Sequence, residues 1–416
     1  MVGGTMATTQ GSAAARGSLP AVPRGPIMLA FATTLAIGAS DGATGVLLPS
    51  LQRYYGVGKG IISLLFLAMV IGYLTSSFAS GMIADRFGRR RALAVGAAAF
   101  AVGAAGISLH PPLIAVLVAA LVVGFGFGTL DVGINVYTAA FPDSTGLLNY
   151  LHAFYGGGAL LGPLVASGVL AAGQPWNRVY LLWTFAGVAL LAGFLRLFPA
   201  SIPPTPARDA APDAETNVLR AALRLRVVQL GALFLLLYVG IEVTVGSWAY
   251  SFLTEVRHGD PLHSGWVTSG YWLGLTLGRL TAAIVASRFA FDNVRLIRYC
   301  LVGVIAGVLL MWLVPVGVAT AIGLLVIGFS LGPIFPTTIS LLPALVPGRL
   351  VQSAVGFLAG TGSAGAALFP WIAGVLAQRL GLGSLMPYLV ALTGTMAVGW
   401  FVLHRASAAA TPQPGA

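Results

Sequence analysis

The sequence GMIADRFGRRR (residues 81–91) lies between two long apolar stretches. It holds one aspartate, Asp85, and four arginines, although only 8% of all residues in the chain are charged. Charge is expected to concentrate at a membrane boundary, because a charged side chain at the bilayer centre costs about 2.5–3.5 kcal/mol on insertion scales. The stretch therefore predicts a short charged hinge between two membrane-spanning helices.

The remainder of the chain is apolar enough to lie in a bilayer. Its mean hydropathy is +0.91 and 57% of its residues are hydrophobic, which excludes an ordinary soluble domain. Apolar stretches of about 18 residues or more indicate transmembrane helices. We predict an all-α membrane protein with twelve such helices, at about 27–50, 60–83, 92–110, 113–141, 148–172, 178–199, 226–254, 264–287, 294–315, 317–345, 350–378 and 384–404.

The positive charges lie mainly on one side of the predicted membrane. Of the 22 Lys and Arg residues, 16 fall in stretches on the side of the N-terminus, five fall on the opposite side, and Arg279 lies within a span. This asymmetry predicts a protein of the plasma (inner) membrane with both termini in the cytoplasm. The net charge of +11 is thus explained by topology, and we expect no nucleic-acid partner. The partners expected are the lipid bilayer and a small-molecule substrate, and we expect a monomer.

A polar segment divides the spans into two groups of six. Residues 200–222 interrupt the apolar pattern with Pro, Asp and Arg. We therefore predict two six-helix bundles joined by a cytoplasmic linker and flanked by short tails. The predicted boundaries are a disordered N-terminal tail (1–25), an N-terminal bundle (26–199), the linker (200–222), a C-terminal bundle (223–404) and a C-terminal tail (405–416).

The two groups of spans repeat one another. The pattern Gly72…Arg86-Phe87 recurs as Gly274…Arg288-Phe289, at an offset of 202 residues. VGFGFG (123–128) resembles IGFSLG (327–332), and GVLA at 168–171 recurs at 374–377. Nearly constant offsets in chain order indicate duplicated bundles related by pseudo-symmetry. In membrane proteins built from two such repeats, a substrate site lies near the midplane of the bilayer, between halves that move against one another.

The hinge motif is complete only in the first half, because Ser287 occupies the position equivalent to Asp85. We predict that the first copy is a conformational latch, in which a loop ordered by Asp85 binds a neighbouring helix end in one conformation and releases it in the other. In the alternative interpretation the arginines only set topology. The predicted latch residues are Gly81, Asp85, Arg86, Gly88, Arg89 and Arg90.

Three acids and one base lie deep inside predicted spans. They are Asp41, Asp131, Glu242 and Arg279, and such residues are functional candidates because they are costly to insert. Asp41 and Glu242 are related by the repeat, since each precedes a glycine by four residues. Two carboxylates facing one another across a poorly hydrated cavity cannot both ionise cheaply. We therefore predict proton coupling through Asp41, Asp131 and Glu242. The alternative for each acid is a structural hydrogen bond within its own bundle.

Polar residues in the fourth and fifth spans share helix faces. Asp131 and Asn135 are one turn apart, and Asn149 and His152 follow in the next span. A carboxylate, two amides and an imidazole offer donors and acceptors to a polyhydroxylated ligand. His152 has a structural alternative as a packed histidine. Arg279 is predicted to pair with an acid, either structurally or in coupling.

Aromatic side chains complete the predicted site. Tyr238, Trp248 and Trp272 are candidates for stacking on a sugar ring, although most membrane aromatics pack or anchor helices. With Asp131, Asn135, Asn149, His152 and Glu242 they form the predicted substrate-binding set. We expect no metal site and no cofactor other than a proton or another coupling cation.

Several strings together resemble a known family. They are SDGATGVLLPSLQRYYGV (40–57), LDVGINV (130–136), LLNYLHAFYGGGALLGPL (147–164), YVGIEVTVGSW (238–248) and SGYWLGLTLGR (269–279). With the hinge motif, they resemble the fucose:proton symporter group of the major facilitator superfamily. Within that group the chain is most similar to the fungal bypass-of-stop-codon-type facilitators and their bacterial relatives. The resemblance covers essentially all twelve spans.

This resemblance implies uptake of a small polar solute, typically a sugar, by alternating access and driven by protons or another cation. Asp131 and Asn135 match an acid and an asparagine that matter for coupling and binding in the fucose symporter, and Asn149 matches another asparagine there. One departure is that the symporter's first-helix acid lies where this chain has Gly45, whereas Asp41 is one turn earlier, as in the fungal-type members.

Three other functions are weighed against proton-coupled sugar symport. Export or antiport, including drug efflux, is the first alternative. A non-transporting nutrient sensor is less favoured, since such proteins usually add a long cytoplasmic tail. An intramembrane enzyme is rejected, because the sequence contains neither HExxH nor Gly-x-Gly-Asp.

Overall fold

The computed structural model describes residues 24–141, 144–199, 212–289 and 292–410. Of residues 145, 212–217, 283–289 and 406–410 it describes the backbone alone. Residues 1–23 of the predicted N-terminal tail, the first half of the predicted linker and the end of the predicted C-terminal tail lie outside the described residues.

The first six long helices form the N-terminal half. They are α1 (Arg24–Tyr55), α2 (Leu64–Phe87, after a short helix at Lys59–Ile62), α3 (Arg89–Ser108), α4 (Leu113–Ala139), α5 (Ser144–Ala171) and α6 (Asn177–Leu197). A linker helix, Pro212–Leu223, leads to the second half and packs against α11.

The C-terminal half repeats this arrangement. It contains α7 (Arg226–Ser251, extended by a π-helical turn at Phe252–Val256), α8 (Pro261–Phe289), α9 (Asn293–Leu313), α10 (Gly317–Leu331 and Ile334–Leu345), α11 (Gly348–Leu380) and α12 (Leu385–Ala410, after a 3-10 turn at Leu382–Ser384). The predicted all-α class is confirmed.

The helices match the predicted spans to within a few residues. In the described part of the chain, eleven of them are long and apolar enough to cross a membrane. The twelfth, α8, has 29 residues but carries many Gly, Ser and Thr residues as well as Arg279. Several helices, among them α1, α11 and α12, are longer than the apolar stretches that predict them, because polar residues continue them beyond the hydrocarbon region. Thus α1 already begins at Arg24, and α12 continues to Ala410, within the predicted tail.

The predicted hinge loop at 81–91 is wrong in its extent. Helix α2 continues through Phe87 and α3 begins at Arg89, so Gly88 alone separates the two helices. Gly88 has a φ angle of 82°, a conformation that costs a glycine little because it has no Cβ. The charged residues around it therefore lie on helix ends and not on a loop.

Equivalent glycines pack equivalent helices in the two halves. Gly72 of α2 lies against the carbonyl oxygen of Leu121 in α4, and Gly274 of α8 lies against that of Leu325 in α10. A Cβ at either glycine would overlap that oxygen, so both helix pairs need glycine to approach closely. These contacts occur at offsets of 202 and 204 residues, which confirms the pseudo-symmetry read from the repeat.

Candidate functional site

The two halves cross where α1 meets α7. A Cβ at Gly45 of α1 would lie 2.7 Å from the carbonyl oxygen of Gly246 in α7, so the backbones touch at two glycines related by the repeat. Asp41 and Glu242 each precede their glycine by four residues, which is about one helical turn. The pseudo-symmetry therefore places both acids just beside the crossing, in one cavity.

That cavity has a volume of about 370 Å³ and is lined by helices of both halves. This lies within the size range of small-molecule sites, about 300–1,000 Å³. It brings together seven of the residues predicted from sequence: Asp41, Asp131, Asn135, His152, Glu242, Trp272 and Arg279. Residues separated by more than 200 positions in the chain thus share one site because the duplicated bundles face one another.

The Asp131 carboxylate is held by two neutral donors. The Tyr73 hydroxyl donates to its Oδ2 at 2.7 Å, and Asn135 Nδ2 donates to its Oδ1 at 2.9 Å. Asn135 also donates to the Asp131 carbonyl oxygen, as the one-turn spacing allows. His152 is exposed in the cavity and lies within electrostatic range of Asp131. The predicted polar face of α4 therefore points into the cavity.

Asp41 has a similar environment in the same half. The Tyr155 hydroxyl donates to Asp41 Oδ2 at 3.0 Å, and Asp41 lies within electrostatic range of Asp131. No ion pair joins either aspartate to a basic side chain in the described part of the chain. Both carboxylates are thus stabilised by hydroxyl or amide donors and not by an opposite charge.

The C-terminal half carries an ion pair instead. Arg279 of α8 donates through Nη2 to Glu242 Oε1 of α7 at 3.2 Å. The Tyr238 hydroxyl lies beside both members of the pair, and the Tyr271 hydroxyl donates to the Glu242 carbonyl oxygen at 2.8 Å. Arg279 thus pairs with an acid, as predicted, and that acid is Glu242 of its own half.

Trp272 presents an unused donor at the cavity wall. Its ring lies against Gly246, where a Cβ would be 2.6 Å from the ring atom Cζ2. Its indole Nε1 is buried and has no hydrogen-bond partner among the described residues. A buried donor without a partner is costly, so a ligand oxygen at this position would be bound favourably.

Three of the predicted substrate-binding residues lie elsewhere. Trp248 is fully buried and donates to the Pro370 carbonyl oxygen at 2.9 Å, so it ties α7 to α11. Tyr238 is 1% exposed and contacts the ion pair without lining the cavity. Asn149 is exposed one turn before His152 and is not among the cavity-lining residues. The helical period places a residue on a face, but it does not show how far along the helix the cavity extends.

Two tyrosines of the site were missed by the sequence analysis. Tyr73 directly follows Gly72 of the repeat, and Tyr155 lies three residues after His152, on nearly the same helix face. Both side chains line the cavity and donate to its aspartates. The helix spacing could have indicated Tyr155, whereas the contact of Tyr73 with Asp131 depends on how α2 packs on α4.

The described lining holds more acidic than basic side chains. Three carboxylates, those of Asp41, Asp131 and Glu242, face the guanidinium of Arg279 and the imidazole of His152. With the carboxylates ionised and the histidine neutral, one guanidinium compensates only one of the three. An anion would be repelled here, whereas a neutral polar molecule or a cation would not.

The halves also meet on one side of the cavity, at the end of the helices opposite to the start of α1. We call this the distal end. Lys59 Nζ donates to Glu255 Oε2 at 2.7 Å, and the Gly60 N–H donates to Gln378 Oε1 at 2.8 Å. Nearer the cavity, Ser63 packs against Gly374 of α11. These contacts close the cavity at the distal end.

The contacts just described all lie at the distal end, and several glycines toward the opposite end lie without close neighbours in the described part of the structure. Gly356 and Gly360 of α11 face empty space there, as do Gly81 and Gly88 at the hinge. Asp85 is exposed and forms no ion pair with the other described side chains. Asp85 lies within electrostatic range of Arg89, another of the predicted latch residues. None of the latch residues lines the cavity, and their role as a latch stays a prediction.

The family model described as Major Facilitator Superfamily matches residues 30–260. Bypass of stop codon protein 6 of Saccharomyces cerevisiae is 27% identical to this chain, over 84% of this chain and 76% of that protein. The glucose/mannose transporter GlcP of Bacillus subtilis is 23% identical, over 84% of this chain and 88% of that protein. The multidrug efflux pump Tap of Mycolicibacterium fortuitum is 24% identical, over 86% and 91% of the two chains.

Solved structures share the fold. A bacterial homologue of the human lysosomal transporter Spinster superposes with a TM-score of 0.78 at 14% identity, covering 96% of this chain and 100% of that chain. The fucose:proton symporter of Escherichia coli superposes with a TM-score of 0.61 at 17% identity, covering 91% and 98%. The expected architecture of two six-helix halves is thereby confirmed.

Proposed function

Because this chain belongs to the Major Facilitator Superfamily and is a multi-pass membrane transporter, we propose that it moves a small neutral polar solute, a sugar in the first instance, by alternating access in symport with a proton. The observation that carries this proposal is the pair of aspartates in the central cavity. Asp41 and Asp131 are held by tyrosine and amide donors and form no ion pair with a described basic side chain. Uncompensated acids at membrane depth are characteristic of proton pathways.

The remaining lining suits a neutral polyol. Hydrogen-bond donors and acceptors come from Asn135, His152 and Tyr73, and the Trp272 ring offers a face for stacking as well as a donor. The excess of negative charge disfavours an anion. The glucose/mannose transporter among the relatives supports the choice of sugars as the first substrates to test.

In the proposed orientation the protein lies in the plasma (inner) membrane with both termini in the cytoplasm. It follows from the 16 of 22 basic residues on the side of the N-terminus. The distal end, where Lys59 and Glu255 join the two halves, is then the outer end. In the opposite conformation the distal contacts separate, and the hinge around Gly88 takes part in closing the inner end.

The test is uptake of labelled neutral hexoses into proteoliposomes, with and without an inward proton gradient. We expect the unmodified protein to accumulate one or more sugars only with the gradient, and Asp131→Asn to lose that accumulation. Asp292→Asn is the matched control, because Asp292 is an exposed helix N-cap outside the cavity and asparagine caps equally well. Gradient-independent uptake, or unchanged accumulation in Asp131→Asn, would refute proton coupling through this acid.

Export is a second candidate, favoured by the efflux pump among the relatives. Its substrate would leave the cell through the same central cavity. Cells that overproduce the protein would then retain less of the substrate than cells lacking it, whereas a symporter gives the opposite result.

A further inference from the structure

Tyr155 lines the central cavity together with Asp41 of the N-terminal half and Glu242 of the C-terminal half. It belongs to α5 of the N-terminal half, and its hydroxyl donates to Asp41 Oδ2 at 3.0 Å. The same side chain lies within electrostatic range of Glu242 and Arg279 in the C-terminal half. One hydroxyl thus borders both the uncompensated aspartate and the ion pair.

The backbone around Tyr155 is held by both halves. Gly38 of α1 packs directly against the Tyr155 carbonyl oxygen, and a Cβ at Gly156 would lie 2.5 Å from Thr276 Oγ1 of α8. The main chain at this point has little room to shift relative to α1 or α8. A change in bonding near Tyr155 is therefore taken up by rotation of its hydroxyl and by movement of the facing side chains.

Each of the two carboxylates has other charged or titratable neighbours. Asp41 faces Asp131 and Tyr73 as well as Tyr155. These neighbours belong to α2, α4 and α5 of the same half. Tyr155 is therefore the neighbour through which a change at Asp41 can affect the charged groups of the other half.

Glu242 is surrounded from its own half. It faces Arg279 and the hydroxyls of Tyr238 and Tyr271, and Tyr155 approaches it from the N-terminal half. Arg279 donates to Glu242 Oε1, so a hydroxyl that donated to the same oxygen would take up part of the negative charge that now attracts the guanidinium.

We propose that Tyr155 is the positioning residue that couples protonation of Asp41 to the Glu242–Arg279 pair, a role that rests on the proposed proton symport. While Asp41 is ionised, the Tyr155 hydroxyl donates to it. When a proton from cavity water adds to an Asp41 oxygen, the acid no longer needs that donor, and the Tyr155 hydroxyl turns to Glu242. It then competes with Arg279 for the carboxylate and loosens the contact between α7 and α8. No other covalent bond changes.

Tyr73 provides a matched comparison. Its hydroxyl donates to Asp131 at 2.7 Å in the same way, but the charged groups it faces, Asp131 and Asp41, both belong to its own half. Removing the Tyr73 hydroxyl therefore perturbs an aspartate without cutting the connection to the ion pair.

The test uses a conformational signal that needs no substrate. Ser63 is fully buried under the distal contacts, and Cys300 is the only cysteine of the chain. In a Cys300→Ala, Ser63→Cys protein, the rate at which a membrane-impermeant thiol reagent labels residue 63 from the distal side reports opening of that end. We expect this rate to change about three- to tenfold between mildly acidic and mildly alkaline buffer, which is within the range set by the net contribution of one ordinary hydrogen bond.

The proposal predicts that Tyr155→Phe abolishes this pH dependence and that Tyr73→Phe keeps it. Tyr155→Phe should also have no additional effect in an Asp41→Asn background, because the two residues act as one unit. If Tyr155→Phe alone is poorly stable, the comparison of Asp41→Asn with Asp41→Asn, Tyr155→Phe still tests the proposal. The proposal would be overturned if the labelling rate kept its pH dependence in Tyr155→Phe, or if Tyr73→Phe lost that dependence equally. It would also be overturned if the effects of Tyr155→Phe and Asp41→Asn added, or if the parent showed no pH dependence. Absence of sugar uptake would refute the substrate while leaving the labelling result unaffected.

Discussion

Replacing Lys59 with methionine should loosen the contact that holds the two halves together at the distal end. The Lys59 ammonium lies 2.7 Å from Glu255 Oε2, and the two residues belong to opposite halves. The pair can form only while the distal end is closed. Its loss therefore affects the closed conformation selectively and shifts the equilibrium toward distal opening.

The size of this shift follows from how exposed the pair is. The Lys59 side chain is 18% exposed and that of Glu255 is 37% exposed, so solvent screens their attraction. Exposed ion pairs contribute about 0–1 kcal/mol. We take about 1 kcal/mol for this partly covered pair, which corresponds to about a fivefold change in the population ratio.

The labelling rate of Ser63→Cys measures this ratio, because Ser63 is buried only while the halves are in contact. We expect Lys59→Met to raise the rate about fivefold, and the exchanged pair Lys59→Glu with Glu255→Lys to restore it. High salt should accelerate labelling of the parent but not of Lys59→Met, because salt screens only an existing pair. An unchanged rate in Lys59→Met, or no rescue by the exchange, would show that this pair does not hold the distal end closed.

Two further perturbations test the cavity wall and the distal seal. Removing one member of the Glu242–Arg279 pair should destabilise the protein by about 2 kcal/mol and so lower its melting temperature, because a partly buried charge loses its partner. The double variant Glu242→Gln, Arg279→Met should recover most of that stability. A double variant as unstable as the two single losses combined would contradict the pairing. Gly374→Val should hold the distal end open, since even a Cβ there would overlap the Ser63 hydroxyl. We expect fast labelling of Ser63→Cys and no net transport in this variant. Slow labelling would show that α11 can shift to make room for the valine.

Much of the fold was accessible from the sequence because the bilayer restricts the possible structures. In hydrocarbon a chain must satisfy its backbone hydrogen bonds internally, so long apolar stretches predict helices with little ambiguity. The duplicated glycines were equally informative, since Gly72 and Gly274 prove to pack the same helix pair in each half. The ends of the helices were less well predicted, and Gly88 alone separates α2 from α3 where a longer charged loop was expected.

The candidate site was predicted in part. The cost of burying charge identified Asp41, Asp131, Glu242 and Arg279 from sequence alone, and all four line the cavity. The aromatic candidates were less reliable, because an apolar ring gives no sign of whether it faces a cavity or another helix. Trp248 thus proved to be a tie between α7 and α11.

The membrane location, the twelve helices, their duplication and the acids at membrane depth could all be read from the amino-acid sequence alone. These follow from hydropathy, charge cost and periodicity, which are properties of single helices. Only the tertiary structure decided that Glu242 pairs with Arg279, that Asp41 and Asp131 are held by Tyr155 and Tyr73, and that the cavity is closed at the distal end. Those contacts join residues of different helices, and they depend on helix rotation and close approach, which no single helix specifies.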